Sequence, residues 1–360
     1  ILRNMLDTCI CRYDSSLKDQ LVELLGLMWG DMDLNERRKL FEWIYENNPY
    51  TQRPFVYLAL HGEHVVAQRA FVIQKFIHNN DEFLVGVPSS AIVHPDFRRQ
   101  GLFSKLTEYA FEDMLTNSNI RLLLSLSSNE ASTPGNIKSG FIPIGRRESM
   151  YFFSPVNGLK KILRSDNGPD DVVISNNDDV TIEITRELRD REISNLMQNV
   201  TEKDKIRNAR DGNFYAWRFA GSPHEYVYAY SSEGDETTSY LSLRKNDNMS
   251  CSLMEYGYLD PTYFRDLVNG VSKKILTPSI VAPTFTRSQN ELLELKRSGF
   301  NYPNDRSIQL LKSLKLIRRS GLPGALVKPM SLESNDNAYF INGVDMRLGE
   351  NWSLFQSDVW

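Results

Sequence analysis

Apolar positions along the chain switch repeatedly between a helical and an extended period. After Gly101, apolar side chains recur at Leu102, Phe103, Leu106, Ala110, Phe111, Met114 and Leu115, while Lys105, Glu108 and Glu112 fall on the opposite side. That spacing predicts an amphipathic helix anchored along one face. The runs on either side of it, "SSAIV" ending at Val93 and "RLLLSLSS" from Arg121, are short, apolar and too brief for helices, so they read as buried strands. Near the start, "CICRY" and then Leu21, Leu24 and Leu25 at helical spacing predict a strand followed by a helix. Aromatic and β-branched stretches around Gly62 and Gly234 predict meanders with glycine turns.

The order of elements repeats. "WIYENNPYTQRPFVYLAL" from Trp43 and "WRFAGSPHEYVYAY" from Trp217 share the tryptophan, a proline six positions on (Pro49, Pro223) and a following strand pattern. "IKSGF" ending at Phe141 recurs as "LKRSGF" ending at Phe300, and Leu21, Leu24 and Leu25 line up with Ile193, Leu196 and Met197. Matches in a constant order point to a duplicated unit. The expected fold is therefore mixed α/β (α+β), with two similar modules, each a mixed, mostly antiparallel sheet flanked by helices. The stretch "RSDNGPDDVVISNNDD" has little to bury and reads as a linker. The expected division is 1–155, a linker at 156–178, a second module at 179–330 and a C-terminal segment, 331–360, returning toward the first.

Composition narrows the function classes. Across 360 residues, 41% hydrophobic and 24% charged, the formal net charge is −4, so no overall field would gather nucleic acid or an acidic membrane. No run approaches the ~18 apolar residues of a spanning helix, and a cytoplasmic protein is expected. Cys9, Cys11 and Cys251 suit neither a disulfide framework nor a zinc site, so no metal is expected. Any anionic ligand must be met by a local feature.

One such feature is "HPDFRRQGLFSKL". A helix N-terminus offers unpaired N–H groups and partial positive charge, and a glycine lets an anion approach the backbone. The amides of Gln100, Gly101, Leu102, Phe103 and Ser104, with the charges of Arg98 and Arg99, would suit a pyrophosphate. The same two arginines also fit an ordinary solvated helix start. The second unit has "LDPTYFRDLV" at this place, keeping the proline and the helix but not the two-cation glycine turn.

Together "IVHPDFRRQGLFSKL" and "SNEASTPGNIKSGF" resemble the two signatures of the GNAT superfamily of acyl-CoA N-acyltransferases, with Arg98, Gly101 and Phe103 in the Arg/Gln-x-x-Gly-x-Gly/Ala places and Asn129 with Gly140-Phe141 in the second motif. The resemblance covers residues 8 to 153 and is to the tandem type. It implies that acetyl-CoA enters as co-substrate, its diphosphate on the turn and its pantetheine arm beside Ile92 and Val93, where the strand from Arg121 splays away. It implies acetyl transfer to the primary amine of a small acceptor, an amino sugar or sugar nucleotide being the first expectation. The chain departs from the family in two helpers: Asn136 stands where many members have a tyrosine, and "VGVPSSAIV" carries no carboxylate. A coenzyme-binding regulator without catalysis is thus the alternative. Asp358, the one acid in the apolar "WSLFQSDVW", is the candidate base, or else an exposed acid; the terminal carboxylate of Trp360 is a second candidate by the resemblance. His94 and Glu130 read as structural or exposed. Trp217 and Arg218 are candidates for an acceptor wall, or else core residues matching Trp43. Oligomeric state and the role of the second module stay open.

Overall fold

The computed structural model describes residues 8–126, 132–145, 147–154, 172–176, 180–246, 250–274, 279–285, 288–302, 304–306, 308–309, 325–331 and 336–359. The first half runs β1 (Thr8–Arg12), α1 (Lys18–Trp29), α2 (Leu34–Phe41) continued by a π turn (Glu42–Glu46), β2 (Phe55–His61), β3 (His64–His78), β4 (Asp81–Val93), α3 (Leu102–Asn117), β5 (Ile120–Ser125), α4 (Thr133–Lys138), β6 (Ile142–Pro143) and β7 (Arg147–Phe153). The second half follows with β8 (Val172–Asn176), β9 (Val180–Thr185), α5 (Asp190–Val200), β10 (Ile206–Asn208), α6 (Gly212–Tyr215) with its own π turn (Ala216–Ala220), β11 (Tyr226–Glu233), β12 (Glu236–Lys245), β13 (Cys251–Tyr258), α7 (Pro261–Lys274), β14 (Ser279–Phe285), α8 (Gln289–Arg297) and β15 (Leu326–Pro329).

Two mixed sheets result, as expected. The first has the order β1-β2-β3-β4-β5-β15-β6 and the second β7-β14-β13-β12-β11-β9-β8. Along each of these paths the pairs are antiparallel except one, β4 with β5 and β13 with β14; the first sheet also branches at β3, which pairs with β10. Helices cover the sheets with the faces that the apolar spacing selected. Leu21, Leu24 and Leu25 of α1 are buried, as are Ile193, Leu196 and Met197 of α5, and Leu102, Leu106, Ala110 and Met114 of α3 close over the first sheet.

The pairings cross position 155 in both directions. β7, from the first half, joins the second sheet along β14, from Arg147 opposite Phe285 to Phe153 opposite Ser279. β15, from far down the chain, enters the first sheet between β5 and β6. Each sheet is therefore completed by a strand from the other half. The expected linker begins outside the described residues, and its later part, β8, is an edge strand rather than a loop.

A second reciprocal contact joins the halves. Trp43 and Trp217 occupy the two matching π turns, and each indole donates to the other's backbone carbonyl, Trp43 Nε1 to Trp217 O at 2.6 Å and Trp217 Nε1 to Trp43 O at 2.7 Å. Such self-complementary pairing is what a two-fold relation between repeats produces. The C-terminal segment also serves both halves: Trp352 and Ser353 run parallel to β10, which itself pairs with the end of β3.

Candidate active site

The turn between β4 and α3 has the conformation its sequence demands. Arg99 (φ 61°) and Gly101 (φ 76°) both lie in the left-handed region, so the chain folds sharply before α3 begins. A Cβ at Gly101 would meet nothing within 4 Å. Gly101 is the N-cap and supplies no side chain to the helix start, which leaves the amides of Leu102, Phe103 and Ser104 without intrahelical acceptors. Arg98 donates from Nε to the carbonyl of Val93 at 3.1 Å, tying the turn to the strand end. Among the described residues neither Arg98 nor Arg99 is paired with a carboxylate, and both are exposed.

The matching turn of the second half is chemically closed. There the Asp260 carboxylate accepts from the amide of Thr262 at 2.8 Å and from its hydroxyl at 2.6 Å, and those bonds hold the Asp260 carboxyl below its ordinary pKa. An anion on α7 would meet a carboxylate already in place.

Next to the open turn the central strands part. Among the described residues β4 and β5 pair from Leu84–Ile120 to Gly86–Leu123 and no further, although β4 continues to Val93, so its upper edge has no strand partner there, the Val93 carbonyl accepting from Arg98. On its other side the β3–β4 register jumps from Phe71–Pro88 to Arg69–Ala91. Ser89 and Ser90 together oppose the single residue Ala70, a β-bulge. Tyr45, from the π turn after α2, shares a hydrogen bond with Ser89 Oγ at 2.9 Å; burial raises its pKa, so its phenol stays protonated. Arg69, buried, donates from Nη2 to Asn136 Oδ1 at 3.2 Å. An amide-lined turn, two unpaired arginines, a glycine open to approach and a strand with a free edge fit a coenzyme A diphosphate and its pantetheine arm.

The family model described as the acetyltransferase (GNAT) domain matches residues 10–131. Residues 10–131 are a GNAT domain. Solved structures similar to the chain include an N-acetyltransferase from Anabaena variabilis, 10% identical, covering 90% of this chain and 73% of that one with a TM-score of 0.58. They include Eis1 from Mycobacterium abscessus, 12% identical, covering 92% and 76% with a TM-score of 0.54. A tandem GNAT protein from the clavulanic acid biosynthesis pathway is 10% identical and covers 91% of this chain and 100% of that one, with a TM-score of 0.52. At these identities the likeness is one of fold, and it extends over both modules. No curated protein matches the sequence significantly.

Within the GNAT domain the turn residues Arg98 to Ser104 and the strand residues Ile92 and Val93 come together as the sequence arranged them. Asn129 and Glu130 lie outside the described residues. The remaining candidates are drawn away from this site. Asp358 is fully buried; its oxygens are held by Arg210, Nη1 at 2.7 Å and Nη2 at 3.2 Å, and Oδ2 accepts from the amide of Phe355 at 2.8 Å. Its neighbour Ser357 bonds to Glu255 of β13 at 3.1 Å, and Phe355 stacks edge-on against Tyr256. Leu354 bridges to Phe285, the end of β14. The segment 354–358 thus sits where β13 and β14 diverge beyond Ser252 and Val281, in the second module's counterpart of the gap between β4 and β5. This corrects the expectation of a catalytic base: Asp358 is fully buried and both of its oxygens are taken up by the Arg210 guanidinium.

Trp217 and Arg218 are corrected likewise. Trp217 is in the reciprocal pair, and Arg218 is buried with Nε on Ser357 O at 2.8 Å and Nη2 on Val359 O at 3.3 Å, holding the C-terminal segment down. Neither lines an acceptor wall. What the sequence reading missed is Tyr45 and Arg69. A signal existed for Arg69, since "VVAQRAFVIQKF" places a glutamine and an arginine in the middle of an apolar strand. Among the described residues no cluster of His, Cys, Asp and Glu could hold a metal ion, and no helix is long and apolar enough to cross a membrane.

Proposed function

We propose that this chain is an acyl-CoA-dependent N-acyltransferase that moves an acetyl group from acetyl-CoA to the primary amine of a small acceptor, an amino sugar or sugar nucleotide first among the candidates. One observation carries the reading: the helix start after β4 is open, amide-lined and flanked by unpaired cations, whereas its counterpart after β13 is capped by Asp260. An anion-binding role gives the first turn a reason to stay uncapped. The active module is the first, and the second, with its gap filled by 354–358, acts as scaffold.

The residues divide the work as follows. The amides of Leu102, Phe103 and Ser104, with Arg98 and Arg99, hold the diphosphate. The free edge of β4 aligns the pantetheine arm and so fixes the thioester beside the bulge; alignment of this kind supplies ~7 kcal/mol or more of a transfer barrier. The backbone N–H groups of the bulge at Ser89 and Ser90 serve as the oxyanion donors. A regulator that binds the coenzyme without turnover is the second reading, favoured by the buried Asn136 where the family's tyrosine would stand.

The test is direct. Incubation with acetyl-CoA and a panel of amino sugars, polyamines and peptides is expected to release thiol with at least one acceptor class; coenzyme binding with no turnover across the panel supports the regulator. Gly101→Glu places a carboxylate in the open turn at a left-handed position, a strain of roughly 1–2 kcal/mol. Calorimetry is expected to show coenzyme A binding weakened beyond detection, with an unchanged circular dichroism spectrum. Unchanged affinity rejects the assignment of the turn.

A further inference from the structure

Arg69 is 2% exposed and among the described residues has no carboxylate partner. Its guanidinium makes one hydrogen bond, to Asn136, and its Nε, also buried, makes none. The rings of Phe71 and Phe103 lie against it, 4.9 and 5.1 Å from the guanidinium carbon. Burying a charge without a counter-ion is costly, and proteins rarely do so without a ligand or a partner to complete it. Desolvation brings its pKa down to about 10, which still leaves a cation at neutral pH.

Its position narrows what the missing anion is. Arg69 pairs across the sheet with Ala91, at the edge of the β4 bulge. Phe103 is the second residue of α3, beside the open turn. Asn136 belongs to α4, where Gly135 packs on Phe103, so that a Cβ there would lie 3.0 Å from the ring. Arg69 thus stands where bulge, turn and α4 meet. Diphosphate charge is already provided for by the turn, and the oxyanion by the bulge. The remaining charge in thioester aminolysis is the one left on sulfur, for which the residues at the usual acid's position supply no acidic proton.

Resting on the function proposed above, we infer that Arg69 is a catalytic residue that takes up the negative charge on the coenzyme's sulfur, and that Asn136 positions it. The acceptor nitrogen forms its bond to the carbonyl carbon and gives its proton to solvent; the C–S bond breaks with its electron pair on sulfur, and coenzyme A leaves as a thiolate paired with the Arg69 guanidinium, to be protonated by water on release. Charge-assisted bonding replaces proton transfer. Among the described residues the groups packed against Arg69, namely Phe71 from β3, Ala91 from β4, Phe103 from α3 and Asn136 from α4, are uncharged, and the titratable neighbour is Tyr45, kept protonated by burial.

The experiment needs no acceptor. Ultraviolet difference titration of coenzyme A bound to the full chain, with desulfo-coenzyme A as reference, reads the bound thiol's pKa. In the wild type it is expected at least about one unit below the ~8.5 of a free thiol. In Arg69→Gln it is expected to return to the free value or above, with desulfo-coenzyme A affinity unchanged; Arg69→Lys keeps part of the shift and Asn136→Ala loses part of it. An identical thiol pKa in wild type and variants overturns the inference, as does an equal loss of affinity for coenzyme A and its desulfo analogue, which would mean a phosphate or pantetheine contact. If Arg69→Gln does not fold, Arg69→Lys and Asn136→Ala carry the same comparison. Failure of the wild type to bind coenzyme A sinks the proposed function; binding with an unshifted thiol sinks this inference alone.

Discussion

Arg210 is a residue whose surroundings explain themselves once its partners are named. It has a positive φ of 54°, is buried, and meets two carboxylates, Asp358 bidentately and Glu255 through Nε. Burial lowers its pKa, but Asp358 and Glu255 outweigh that and push it above its ordinary value. Glu255 in turn accepts from Tyr215, Tyr240 and Ser357, so the charges are enclosed in a satisfied network. Removing one member strands the others: Asp358→Ala is expected to destabilise the fold by roughly 3–5 kcal/mol, read as a lowered midpoint in urea, while thiol release per folded molecule keeps its pH profile. A fully stable Asp358→Ala protein with no turnover would return Asp358 to the catalytic list. The lone acid in an apolar run was visible in the sequence, which left it as a candidate base or an exposed acid; its partner, 148 positions away, was not visible, because ion pairing between distant segments leaves no local pattern.

At the scale of elements, the start of α3 and the start of α7 differ in how their first amides are met. A glycine with positive φ just before α3 leaves the first amides free, whereas the aspartate just before α7 takes up the amide of Thr262. This contrast was legible, because turn and cap chemistry depends on neighbours in sequence. The apolar faces of α1, α3 and α5 were legible for the same reason. The exchange of β7 and β15 was not, since a strand's period of two is the same whichever sheet it joins. Duplication itself predicted a symmetric contact without specifying it, and the π turns supply one. Each tryptophan bond is expected to contribute about 1 kcal/mol net, more where its loss leaves a buried carbonyl bare. In a double-mutant cycle, Trp43→Phe and Trp217→Phe are expected to couple by at least about 0.5 kcal/mol, because they share one interface. Additive losses would show that the two bonds act independently of any common packing.

For the whole molecule, the exchanged strands turn two modules into one folding problem. Taking β15 away leaves β5 and β6 with open edges in the first sheet, and taking β7 away exposes β14 in the second. Further ties run across the same boundary: Tyr50 donates to Asp211 at 2.7 Å, Lys75 pairs with Asp211 at 2.9 Å, and Gln74 donates to the carbonyl of Asp358 at 3.1 Å while accepting from Asn208 at 3.2 Å. Neither half can lose its structure without unpairing a central part of the other, so cooperative unfolding of the pair is expected in spite of a length that usually divides into separately melting domains. Scanning calorimetry of the full chain should give a single transition whose van't Hoff and calorimetric enthalpies agree. Coenzyme A, on the function proposed here a ligand of the first module alone, should raise that one transition as a whole, because ligand binding stabilises whatever unfolds together. Two transitions, with the coenzyme shifting one and leaving the other in place, would mean that the exchanged strands do not couple the modules.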